Sequence, residues 1–178
     1  MKPIIVPALA TVLMGGLALA VPASARGQVL GQDAAACASG NGPAVLATLS
    51  GLKDRKGALK LELYPANETD FLAPDVKLNA AGKVFRRVRV DVPASGAVDI
   101  CIRVPRAGRY ALLAVHDRDG KNKFNFFSDG AGFPSNAKLG MSRPKVTEAV
   151  IDVGAGVTTT AIRLQYLRGL GGFGPLKK

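Results

Sequence analysis

The stretch 58-ALKLELY-64 decides the fold class. Leu59, Leu61 and Leu63 share one parity while Lys60 and Glu62 take the other, which is the period of two expected of a half-buried strand. The same pattern returns in 97-AVDICIRV-104, where Val98, Ile100, Ile102 and Val104 point inward and Asp99, Cys101 and Arg103 outward. The segment 110-YALLAVH-116 differs, being apolar at both parities, as befits a central strand covered on both faces.

Working outward, strand signals bounded by Gly, Pro, Asn or Asp place strands near 44–50, 58–64, 83–92, 97–104, 109–116, 146–153 and 157–167. Polar and glycine residues at 54-DRKG-57 and 106-RAG-108 reverse the chain between neighbours. Seven short alternating strands without a convincing helix predict an all-β, antiparallel sandwich of immunoglobulin or transthyretin-like kind, with an open barrel as the rival. Two connections are long. Residues 65–82 have room for one helical turn, and 117–145 far exceeds an ordinary connection. The second holds Phe124, Phe126, Phe127 and Phe133, four of the seven phenylalanines. Such an aromatic-rich loop should fold back on the sandwich as a lid with its phenylalanines hidden.

The first residues combine Lys2, an apolar run from Ile4 to about Val21 and the small-residue pattern Ala23-Ser24-Ala25, which is the layout of a secretory signal peptide cleaved after Ala25. Pro7 and Gly15-Gly16 weaken the alternative, a membrane anchor. Residues 26–43 then read as an N-terminal arm, 44–167 as one sandwich domain and 168–178 as a loose glycine-rich tail. The expected location is periplasmic or secreted. In that oxidising setting Cys37 and Cys101 should form a disulfide. Because Cys101 lies on an outward parity, the arm would have to cross the outer face of its sheet. The formal charge of +11 favours anionic partners such as acidic lipid head groups, cell-wall polymers or acidic proteins. Export argues against nucleic acid. No cofactor is implied beyond a possible site for calcium.

Chemistry-bearing residues concentrate in 116-HDRDGKNKFN-125, which contains the one histidine. A strand-ending turn is the first reading, with Asp and Asn side chains capping backbone amides and with His116 and Tyr110 as loop anchors on the same strand parity. A looser cation site is the second, using Asp117, Asp119, Asn122 and Asn125, with Asp129 near. No register fits the calcium-hand pattern, and two acids against three bases disfavour a cation. Catalysis is the third. His116 and Asp117 point to opposite faces of a strand, and Ser128, Ser135 and Ser142 sit in no nucleophile-elbow motif. Elsewhere Arg87, Arg89 and Arg103 are candidates for an outward basic patch that binds anions.

The blocks 108-GRYALLAVHDRDGKNKFN-125 and 132-GFPSNAKLGMSRPK-145 carry a family resemblance. Gly108, Tyr110, Ala111, His116 and Asp117 in the first, and Gly132, Phe133, Asn136 and Pro144 in the second, resemble the bacterial exported family catalogued as domain of unknown function 2141, over about 45–153. The resemblance implies an exported β-sandwich and no established reaction. The turn departs from the family pattern, since Lys121 enters it and Asn125 replaces an acid. The expectation is therefore an exported, non-enzymatic module with a binding or structural role in the cell envelope. Its alternatives are a calcium-dependent module and a binder of anionic lipid or cell-wall polymer.

Overall fold

The computed structural model describes residues 28–177; the signal segment and its cleavage point lie outside them. Along the chain come β1 (Val29–Leu30), α1 (Ala34–Ala38), β2 (Ala44–Ser50), β3 (Ala58–Pro65), α2 (Asp75–Ala80), β4 (Arg86–Asp91), β5 (Val98–Arg103) and β6 (Gly108–Asp117). These are followed by β7 (Gly130–Gly132), α3 (Val146–Ala149), β8 (Val150–Val153), β9 (Val157–Arg163), β10 (Gln165–Leu167) and β11 (Phe173–Pro175). The strands make two packed sheets, so the fold is a β-sandwich as expected. The smaller sheet has the order β1-β5-β2-β9 and the larger β11-β10-β7-β6-β3-β4, with β8 also on β6.

Alternation builds the core. Val45, Ala47 and Leu49 of β2 and Val98, Ile100 and Ile102 of β5 face Leu59, Leu61 and Leu63 of β3 and Leu112 and Ala114 of β6 across the two sheets. Central β6 has a second apolar face, where Ala111, Leu113 and Val115 meet Phe71, Leu78 and Phe133 from the connections. That confirms the reading of 110–116 as covered on both sides.

Several expected elements are redrawn. The sandwich is mixed and not purely antiparallel, because β1 runs parallel to β5 and β2 parallel to β9. The expected strand over 157–167 is two strands: β9 lies in the smaller sheet and β10 in the larger, so the chain changes sheet at buried Leu164. Residues 146–149 form a helical turn ahead of β8, and its buried Val146 and Ala149, three apart, meet the outer face of β6. The long connection is interrupted by β7, whose sequence Gly-Ala-Gly offers no alternation to read. Nor is the tail loose: β11 pairs with β10, and Phe173 is buried.

The arm covers one end of the outer face of the smaller sheet. Cys37 and Cys101 are joined in a disulfide spanning 64 positions, and Ala36, Ala44, Cys101 and Val157 form a small cluster beneath α1. Asp33 clamps the arm: its Oδ2 accepts the Arg103 backbone N–H at 2.8 Å and the Arg86 guanidinium at 3.1 Å, and its Oδ1 lies 3.4 Å from the same guanidinium. Among the described residues no helix is long and apolar enough to cross a membrane.

Candidate functional site

The outer face of the larger sheet is closed differently. Lys60 and Glu62, expected on a solvent face, are only 3% and 5% exposed, because the 118–145 connection lies over them. Between connection and sheet remains a pocket of about 450 Å³. Its floor carries Lys60, Glu62 and Arg87 beside Leu113 and Val115, and its walls include Phe124, Phe126, Phe133, Phe173 and Met141. Size and composition are those of small-molecule sites, which combine apolar walls with a few convergent polar groups.

Most of the pocket's charges are committed. Glu62 accepts the Tyr64 hydroxyl at 2.7 Å and Arg87 Nε at 2.6 Å. Arg87 also reaches Asp75 Oδ2 at 3.0 Å and lies over the Phe85 ring. Burial, together with the Glu62 carboxylate, pushes the Tyr64 phenol well above its ordinary pKa. Arg143 donates to the Phe71 carbonyl at 2.5 Å.

The lid phenylalanines divide. Phe133 is buried as expected, but Phe124 and Phe126 are partly exposed around Phe173, and Phe127 projects into solvent at 81% exposure. The lid therefore has an aromatic rim and not a wholly hidden underside.

The turn after β6 borders this pocket. Asp117 Oδ2 accepts the Asn122 backbone N–H at 3.0 Å, Asp119 Oδ1 accepts that of Lys121 at 3.1 Å, and Asp129 accepts those of Arg118 and Asn125 at 3.0 and 2.8 Å. This is the amide-capping chemistry expected of a strand-ending turn. The Lys121 backbone N–H, with the Asn125 side-chain amide, holds Asp119 below its ordinary carboxylate pKa. The fold also brings one oxygen each of Asp117, Asp119 and Asp129 within 4.8 Å of one another.

The expected cation donors Asn122 and Asn125 lie beside that group, the Asn122 backbone N–H on Asp117 and the Asn125 side-chain amide on Asp119. Asn122 lines the pocket, while the Asn125 amide donates to Asp119 and its carbonyl oxygen accepts the Phe127 N–H. Asp129 supplies the third carboxylate. The local charge changes too, because Arg118 turns away to make a two-pronged pair with Asp54. Lys60 lies 3.5 Å from Asp117 and Lys121 3.5 Å from Asp119.

His116 is wholly buried, with both ring nitrogens engaged. Nε2 lies 2.8 Å from the Lys56 carbonyl, an acceptor, so it carries the hydrogen; Nδ1 then accepts from the Tyr166 hydroxyl at 2.7 Å. Tyr166 Oη in turn accepts the Lys53 N–H at 3.0 Å. Burial pushes the imidazole below its ordinary pKa and the Tyr166 phenol up to about 12.

Two glycines permit this approach. At Gly57, with φ of 73°, a Cβ would run into the Asp117 carbonyl. At Gly130 one would run into the Tyr166 ring. His116 pairs through its backbone with Gly130 of β7 in the long loop and through its side chain fixes the 53–56 turn and β10, while the Tyr110 hydroxyl donates to the Arg106 carbonyl at the opposite end of β6. The loop hangs also on Asp117 and Asp129. With both nitrogens occupied, His116 has no bond to Ser128, Ser135 or Ser142.

The arginine patch is dispersed. Arg87 and Arg89 lie on β4, in the larger sheet, and Arg103 on β5, in the smaller, so outward on one is opposite to outward on the other. Arg87 is paired, Arg89 lies 3.9 Å from Asp91, and the Arg103 side chain is exposed beside the arm.

No curated protein and no solved structure gives a significant match to this chain. The sequence model of one family matches residues 47–161, from β2 into β9, more than half of the chain. The protein therefore belongs to the family of uncharacterized proteins conserved in bacteria known as DUF2141.

Proposed function

We propose that the protein is an exported, non-enzymatic binding module of the bacterial cell envelope, whose ligand is a small amphipathic molecule held between the larger sheet and the 118–145 lid. The pocket carries this reading, with apolar walls over a floor of buried charge. Non-catalysis is supported by His116, whose lone pair and N–H are spent on structure. Export is supported by the disulfide, which persists outside the reducing cytoplasm. Titrating the protein from Arg26 onward with the neutral dye Nile red tests it. A saturable one-site fluorescence rise is expected, weakened about tenfold in Phe124→Ala/Phe126→Ala through lost apolar contact. Absence of saturable binding, or indifference to the two substitutions, would overturn it.

A cation-dependent module is the second reading, favoured by Asp117 Oδ1, a buried carboxylate oxygen without a partner beside Asp119 and Asp129. Calcium would satisfy that oxygen and order the lid. Millimolar calcium should then raise the melting midpoint over that in chelator, with the rise lost in Asp119→Ala; equal midpoints would exclude it.

A further inference from the structure

The charges on the pocket floor are satisfied except one. Lys60 lies on central strand β3, and its side chain is 4% exposed. Among the described residues its ammonium has one acidic partner, Asp117 Oδ2 at 3.5 Å, beyond the usual range for an N–H···O bond. Among the described residues no protein atom accepts a hydrogen bond from it. The pair is unfinished from the other side as well, since Asp117 Oδ1 has no partner. Burying an ammonium with three donors and one distant counter-ion costs free energy unless an acceptor arrives. The strand register adds to the positive field: Lys60 stands opposite Arg89 on β4, and like charges so placed repel.

On the floor nothing else competes for an anion, because Arg87 is held by Glu62 and Asp75; Arg143, exposed at the pocket mouth, spends one donor on the Phe71 carbonyl. The apolar remainder starts beside Lys60, at Val115, its partner on β6, and continues to the phenylalanines of the lid. One unspent ammonium suits one negative charge. A dianion would bring a second charge to a floor where Glu62 and Arg87 are already paired, and a cationic head would meet Lys60 directly.

We infer that Lys60 is the anchor for the carboxylate of a monoanionic amphipathic ligand whose hydrocarbon or aromatic body lies against Phe124, Phe126 and Phe133. This rests on the pocket reading above and assigns the chemical class of its ligand. Asp117 acts as the positioning residue, holding the ammonium over the floor while the pocket is empty.

Competition of octanoate, octanol and octylammonium against Nile red on the protein from Arg26 onward tests it. Octanoate should displace the dye at about one tenth of the octanol concentration, the worth of one charge-assisted hydrogen bond, with octylammonium weakest. The double variant Lys60→Met/Asp117→Asn removes both buried charges together and should bring octanoate to the affinity of octanol. Asp117→Asn alone frees the ammonium of its counter-ion and should tighten octanoate severalfold without tightening octanol, so it decides the matter should the double variant not fold. Equal displacement by octanoate and octanol in the native protein, or octanoate binding unmoved in Asp117→Asn, overturns the carboxylate assignment and leaves the pocket standing. Failure of Nile red itself to bind overturns the pocket reading and the assignment with it.

Discussion

Both sheets of this sandwich have an outer face to cover, and they are covered by opposite means. On the smaller sheet the arm lies flat, tied by a disulfide, by the parallel pairing of β1 with β5 and by the Asp33 clamp, with Ala36 of its helix packed on Ala44 and Cys101. On the larger sheet the 118–145 connection is tied at its ends and by the short β7 in its middle, and leaves space between. The first face is sealed where the arm lies, over Ala44 and Cys101, and meets solvent beyond it at Thr48, Ser50 and Thr159. The second keeps buried charge under an aromatic rim, the arrangement of a face that receives something. Cover made of small side chains and a covalent tie seals, whereas cover made of bulky side chains on a loosely tied segment leaves room.

The largest effect should come from breaking the sealed face. Cys37→Ala/Cys101→Ala releases a 64-residue closure and should lower stability in urea unfolding by up to about 4 kcal/mol. Nile red affinity should hardly change, because the arm and the pocket lie on opposite sides of the sandwich. A large loss of dye binding would show that the two covers are coupled.

A smaller effect, visible in its pH dependence, should come from the network that joins the lid end of β6 to its neighbours. Folding holds His116 neutral by depressing its pKa. The unfolded chain takes up a proton near its ordinary value, so this contribution is complete above about pH 6.5 and is lost as pH falls towards the depressed folded value. The melting midpoint should decline between about pH 7 and about pH 5, and His116→Gln should flatten that decline. Carboxylates held below their ordinary pKa, such as Asp54 beside Arg118, lose their contribution only at more acid pH. An unchanged slope in His116→Gln would remove the imidazole from the account.

The smallest effect is expected at the rim. Phe127→Ser, at a side chain projecting into solvent, should change stability by less than about 0.5 kcal/mol. Its effect on dye affinity should be below that of the Phe124/Phe126 pair. A loss as large as theirs would place Phe127 in the binding surface.

The β-strand character of β2, β3, β5 and β6 was legible in the sequence because alternation is local: Leu59, Leu61 and Leu63 must share a face whatever else the chain does. The disulfide followed from there being two cysteines in a chain read as exported. Lys60 shows where such reading stops. Parity put it opposite the leucines, on what passed for a solvent face, and nothing within ALKLELY says that a segment sixty residues away will cover that face. Asp129 shows the same limit, since its approach to Asp117 and Asp119 is created by the capping of Arg118 and Asn125 amides. Arg103 shows it in reverse, as a residue grouped with Arg87 by pattern and separated from it by the split of β4 and β5 between sheets.

By itself, then, the sequence determined the strand periodicity, the face each residue takes, the cysteine pair and the amide-capping chemistry of the turn, because these depend on neighbours a few bonds away. Only the tertiary structure decided which outward faces meet solvent. It set Lys60 and Asp117 in a buried, unfinished pair, committed both nitrogens of His116 and opened a pocket beneath the lid. Burial and counter-ions are supplied by segments distant in the chain, and their approach is fixed by packing that no local pattern encodes.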